Sequence, residues 1–183
     1  NLNFTNFGRH DEVKYGLELT GFRTEFAFVN NRNQTFDQNT NTTEVNTYVR
    51  WKRKIGPLVI EPGFRLQYYQ SLSELVPEPR IGLKYNISDR IRFKTAGGLY
   101  SQNLLSTINE RDVVNLFVGF LSGPDESITN HDGTTAKSRL QKSWHTVGGF
   151  EVDVLKNLDV NLEGYYKRFT QLISLNRNKA NLL

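Results

Sequence analysis

The sequence predicts an all-β fold: an antiparallel transmembrane β-barrel segment of about seven to eight up-and-down strands. Three observations carry this. Apolar and polar residues alternate at period two along most of the chain, the mark of strands with two different faces. Connections are short at one end of these strands and long at the other. Aromatic residues, 12% of the chain, gather near both strand ends, where a barrel meets the two membrane surfaces.

The elements follow in chain order. Leu2 to Phe7 reads as the tail of a strand, joined through Gly8 to Asp11 to the next. That strand carries Val13, Tyr15, Leu17 and Leu19 and continues through Phe22, Phe26 and Phe28; the parity change near Thr20-Gly21 predicts a bulge. A long outer loop is expected over about 29–42. Val45, Thr47, Val49 and Trp51 then alternate with Glu44, Asn46, Tyr48, Arg50 and Lys52. After the tight connection Lys54 to Pro57, Leu58, Ile60, Pro62, Phe64, Leu66 and Tyr68 alternate with Val59, Glu61, Gly63, Arg65, Gln67 and Tyr69, which makes a hairpin. Pro62 removes a ladder donor in mid-strand, so a bulge is expected around Glu61 to Gly63.

A further loop is expected over Ser71 to Glu78, followed by a strand on Ile81, Leu83, Tyr85 and Ile87. It turns at Ser88-Asp89 into a strand on Ile91, Phe93, Thr95, Gly97 and Leu99. The largest loop spans about 102–142. The last pair, Ser143 to Leu155 and Leu158 to about Thr170, closes around Lys156-Asn157.

Both rims carry aromatic residues: Tyr68, Tyr69, Tyr100, Trp144, Tyr166 and Phe169 at the long-loop end, Tyr15, Trp51 and Tyr85 at the other. One face between them is Val, Leu, Ile, Phe and Gly. The other holds Arg50, Glu61, Arg65, Lys84, Arg92, Lys94, Glu151 and Glu163, with Lys14, Glu18 and Asp153, the candidate lining of a polar lumen. Alternation alone also suits a soluble, carbohydrate-binding β-sandwich, but the segregated loop lengths argue for a barrel. A small closed outer-membrane barrel with a structural or adhesive role is the other alternative.

Composition excludes several classes. With no Cys there is no disulfide framework, thiolate metal site or cysteine nucleophile. The net charge of +4 is spread along the chain without a basic run, so nucleic acid is not an expected partner. The longest apolar run, Leu116 to Leu121, is far short of the ~20 residues of a membrane-spanning helix. The 183 residues form a single region of one barrel domain, and the absence of Met suggests a processed or partial chain.

Chemistry-bearing residues are sparse. His10, His131 and His145 have no partner at metal-pair spacing, and no cofactor or metal site is expected. Ser143 and His145 share a parity, as a nucleophile and base would, but no oxyanion-forming motif accompanies them, which favours a place in the aromatic rim. No catalytic residue is assigned, and the chain is expected not to be an enzyme. Within the long loop, Val113, Phe117, Phe120 and Leu121 form an apolar stretch suited to contact with a partner protein.

The segment EPRIGLKYNISDRIRFKTAGGLYSQ (Glu78 to Gln102) resembles the barrel domain of TonB-dependent outer-membrane receptors, especially those of Bacteroidota. It shares their Pro-Arg strand entry (Pro79-Arg80), Lys84-Tyr85 near the strand end, the two-residue turn, and Gly98-Leu99-Tyr100-Ser101-Gln102 on the returning strand. Leu140 to Ile173, with Lys142-Ser143-Trp144 and Tyr165-Tyr166, is similar to that family's strand pair after a large surface loop. The resemblance covers roughly Asp11 to Ile173 and implies an outer-membrane active transporter for a scarce, large nutrient such as an iron chelate, glycan or peptide. It also implies a 22-stranded barrel, of which this chain is an interior slice, filled by an N-terminal plug that the chain does not show. Implied partners are the outer membrane itself, that plug docked on the inward charges, and the TonB system; the apolar stretch of the long loop suits a lid lipoprotein or another outer-membrane protein.

Overall fold

In the computed structural model, residues 1–29, 35–106, 120–122, 128–130 and 132–173 are described. They form β1 (Leu2–Phe7), β2 (Asp11–Val29), β3 (Thr35–Ile55), β4 (Leu58–Tyr69), β5 (Glu74–Asn86), β6 (Ile91–Gln102), β7 (Leu104–Ser106), β8 (Phe120–Ser122), β9 (Gln141–Leu155) and β10 (Leu158–Gln171). Eight of these make one antiparallel sheet in the order β1-β2-β3-β4-β5-β6-β9-β10, in which each strand pairs with the next along the chain except for the step from β6 to β9. The short strands β7 and β8 pair with each other inside the β6–β9 connection. β1 and β10 are the two edges of the sheet.

The expected period-two strands are present, and their register fixes the faces. Leu17, Thr47, Leu66 and Pro77 lie in one row across β2 to β5. Tyr85, Phe93, Phe150 and Leu162 lie in another across β5, β6, β9 and β10. Large apolar side chains on this face stand exposed, among them Leu19, Val49, Phe64, Ile81, Leu99, Phe150 and Leu162. Only Tyr69, Leu72, Val76 and Leu140 are buried apolar residues among those described. A β-sandwich buries this face under a second sheet; here no second sheet covers it among the described residues, as in a barrel wall whose apolar face meets lipid. Tilted aromatic pairs stud it, Phe93–Phe150 and Trp144–Tyr166, each with ring centroids 5.1 Å apart.

Several local expectations are corrected. The loop over 29–42 is largely strand: β3 begins at Thr35 and pairs with β2 as far as Val29↔Thr35. β3 pairs with β4 only from Glu44↔Tyr69, so residues 21–29 and 35–43 form a two-stranded ribbon that projects beyond β4. The β2–β3 register does not shift at Thr20-Gly21, so there is no bulge; the apolar pattern changes face where the ribbon leaves the sheet, and Phe22 shares the parity of Glu12 and Glu18. Lipid no longer dictates which face is apolar beyond that point.

At Pro62 the register with both neighbours is also unshifted. The β3–β4 ladder omits the pairs opposite Glu61 and Pro62, while Pro62 stays paired with Ile81 on β5. The missing donor is absorbed as a local gap. The loop over Ser71 to Glu78 contracts to one 3-10 turn, Gln70–Leu72, and a left-handed Ser73 (φ 53°), because Tyr69 already pairs with Glu74. The long connection from β6 to β9 therefore supplies most of the contrast between the two rims.

Candidate functional site: the charged face

The polar parity of the sheet gathers the charged residues. Arg50, Glu61, Arg65, Lys84, Arg92, Lys94, Glu151 and Glu163 all fall on this one face by register. The face is concave: a hollow of about 500 Å³ spans β2 to β6, lined by Lys14, Glu18, Tyr48, Arg50, Glu61, Arg65, Arg80 and Tyr100.

Strand pairing brings opposite charges together. Arg50 on β3 lies 3.2 Å from Glu61 on β4, and Lys14 lies 2.7 Å from Glu12. Arg92 holds Glu151 at 2.9 Å and also contacts Asp153; Lys94 reaches the second oxygen of Glu151. Arg65 lines the hollow opposite Tyr48 and Glu78, and Glu163 sits on the edge strand opposite Gly149. Arg50–Glu61 and Lys14–Glu12 are partly exposed pairs, each contributing ~0–1 kcal/mol, whereas the Arg92 cluster is more enclosed.

A second cluster lies at the long-loop end. Glu78 is 1% exposed, and its carboxylate accepts hydrogen bonds from Arg80 Nη2, Ser101 N and Ser101 Oγ, each at 2.7 Å. The β5–β6 ladder ends at Arg80↔Gly98, so Glu78 supplies the acceptor that a strand would have given Ser101. Tyr69, fully buried, bonds Ser101 Oγ at 3.0 Å. Arg80 lies 4.5 Å from the centroid of the Tyr100 ring, which stacks on His145. His145 Nε2 is 2.9 Å from Ser143 Oγ. Tyr69, Tyr100, Ser143 and His145 thus belong to the charged face, and so does Phe169, under Lys167; none is part of a lipid-facing rim as expected.

The returning end of the long connection packs on the β4–β5 turn. Glu74 accepts from Ser138 Oγ at 2.5 Å and Arg139 N at 2.7 Å, Arg139 donates to the Leu72 carbonyl at 2.8 Å, and Leu140 is buried with Leu72, Tyr69 and Val76. Earlier in the same connection, Asp132 accepts from the Thr134 hydroxyl and N–H, which hold its carboxyl below the usual carboxylate range. Val113, Phe117 and His131 lie outside the described residues. Phe120 and Leu121 open β8, whose backbone lies beside β2.

Part of this cluster was missed in the sequence although a signal existed. Counting parity backward from Ile81 puts Arg80 and Glu78 on the charged face. The Glu74–Ser138 contact joins residues 64 apart, and no local pattern encodes it. No group of three metal-ligating side chains occurs among the described residues.

No family model and no curated protein matches the chain. Among solved structures it is similar to in-vitro folded OmpT, an outer membrane protein of Vibrio cholerae in a trimer form, with 13% identity and a TM-score of 0.53. The likeness covers 94% of this chain and 46% of that one, so the chain spans about half the length of its neighbour. It shows the fold: this is an all-β wall of the outer-membrane β-barrel type. No helix among the described residues is long and apolar enough to cross a membrane, which says nothing of crossing by strands.

One expectation is withdrawn on this finding, that the chain is not an enzyme. The neighbour is a barrel named OmpT, and a likeness of walls to such a protein leaves no ground for excluding a reaction.

Proposed function

We propose that this chain forms part of the wall of an outer-membrane transporter of the TonB-dependent type, with the charged concave face toward the lumen. The observation that carries the proposal is that all eight candidate lumen residues fall on the polar parity, three of them, Arg50, Glu61 and Arg65, lining a hollow of about 500 Å³. Support for the TonB-dependent type comes from the resemblance of Glu78 to Gln102 and Leu140 to Ile173 to that family. In this reading a plug rests on the inward charges through exchangeable ion pairs such as Arg50–Glu61. The substrate is captured at the outer loops, the plug is displaced by energy delivered through TonB, and the cargo passes along a wet, polar lining.

The test is conductance of the full-length protein in a planar bilayer with potassium chloride. A plugged barrel is silent as isolated and conducts while urea loosens the plug. Steady conductance before urea would overturn the plugged-transporter reading.

A further inference from the structure

The cations of the charged face differ in one respect that the transporter reading does not use. Lys14, Arg50, Arg80, Arg92 and Lys94 each have a carboxylate within salt-bridge distance. Among the described residues Arg65, Lys52, Lys54 and Lys84 have none; Arg65 stands in the larger hollow, and the three lysines together line one hollow of about 480 Å³ at the short-turn end. Lys54 on β3 and Lys84 on β5 occupy one row on either side of Val59, roughly 10 Å apart at the backbone, two strand spacings. Lys52 is the next inward residue along β3 from Lys54.

The groups facing them do not neutralise them. Lys52 stands between Glu12 and Glu61 in its row, but Glu12 is engaged by Lys14 at 2.7 Å and Glu61 by Arg50 at 3.2 Å. Across β6 the row of Lys84 continues with Lys94, which Glu151 holds. The other wall is the β1–β2 turn with Arg9, His10 and Asp11, pinned to β3 by Lys54 N donating to the His10 carbonyl at 3.1 Å; the Asp11 carboxylate lies 3.6 Å from Arg53. Lys52 and Lys54 are exposed, so their ammonium groups are hydrated and free to converge.

We propose that this hollow is a binding site for a small multivalent oxyanion, a diphosphate- or polycarboxylate-bearing solute. Three mobile ammonium groups on strands β3 and β5 suit an anion with charges several ångströms apart; their point-like geometry selects charge and span rather than one headgroup shape. The site rests only on the concave face being open to water, and not on plugged or energised transport.

The experiment is titration calorimetry of the full-length protein in detergent with inorganic pyrophosphate, repeated with the triple variant Lys52→Gln, Lys54→Gln, Lys84→Gln. Wild type is expected to bind saturably, and the triple variant to bind roughly tenfold or more weakly. Arg23→Gln with Lys167→Gln, which removes charge away from the hollow, should bind as wild type does. The unfolding midpoint of each variant checks that the wall is intact. Equal binding by wild type and triple variant would overturn the site. So would the absence of saturable binding by wild type, whatever the midpoints.

Discussion

At the scale of single residues, Glu78 concentrates the most consequence. A carboxylate 1% exposed is sustained by three donors, and removing it leaves the Ser101 N–H and the Arg80 guanidinium without that acceptor. Glu78→Ala should lower the stability of the full-length protein by about 1–3 kcal/mol, read as a shift of the urea midpoint, with Glu78→Gln in between. Gly149 is a steric counterpart. A Cβ there would collide with the Leu162 carbonyl and approach the Glu163 side chain at 2.9 Å, so Gly149→Val should cost about 1–3 kcal/mol where Gly164→Val, with open space, costs little. Both residues sit on a parity readable from the sequence, the one that carries Arg50 and Glu151. The burial of Glu78 was not readable, because it follows from β6 parting from β5 beyond Gly98, a tertiary event without a local pattern.

Among the elements, period two was enough to place the eight strands of the large sheet, but it misjudged where the β2–β3 hairpin ends and how tight the β4–β5 turn is. Asn- and Thr-rich sequence over Asn39 to Thr43 reads as loop by composition, yet the antiparallel ladder continues through it, with Arg23 bonding Asn39 at 3.1 Å. Composition reports solvation, and a ribbon standing clear of lipid is solvated on both sides. If the ribbon is separate from the wall, replacing residues 22–42 by a two-residue turn should leave the heat resistance of the full-length barrel in detergent unchanged. The Glu74 clamp makes a contrasting case. Glu74→Ala should speed hydrogen exchange at 138–140 and leave β6 and β9 protected, since it removes the acceptor for Ser138 and Arg139 without touching that ladder. Unchanged exchange at 138–140 would show that burial of Leu140 alone holds the segment.

For the molecule as a whole, the sequence made the order of the strands and the segregation of charge legible; it left the transported cargo and the number of strands in the complete wall unread, because neither is encoded in period. The sheet has two unpaired edges, β1 and β10, and an apolar face with no protein cover among the described residues. These 183 residues produced alone should therefore associate through their edges, giving multimers on size exclusion in detergent where a self-closing barrel would elute as a monomer. The ribbon gives the wall a lopsided skyline. From Gly21↔Thr43 to Val29↔Thr35 it rises by roughly 27 Å at about 3.4 Å per residue, while the neighbouring β4–β5 crest stops at Tyr69 and Glu74. A mast of that height on one side of a low parapet meets any bulky body approaching this rim before the rest of the wall does, and leaves the β4–β5 side as the unobstructed approach.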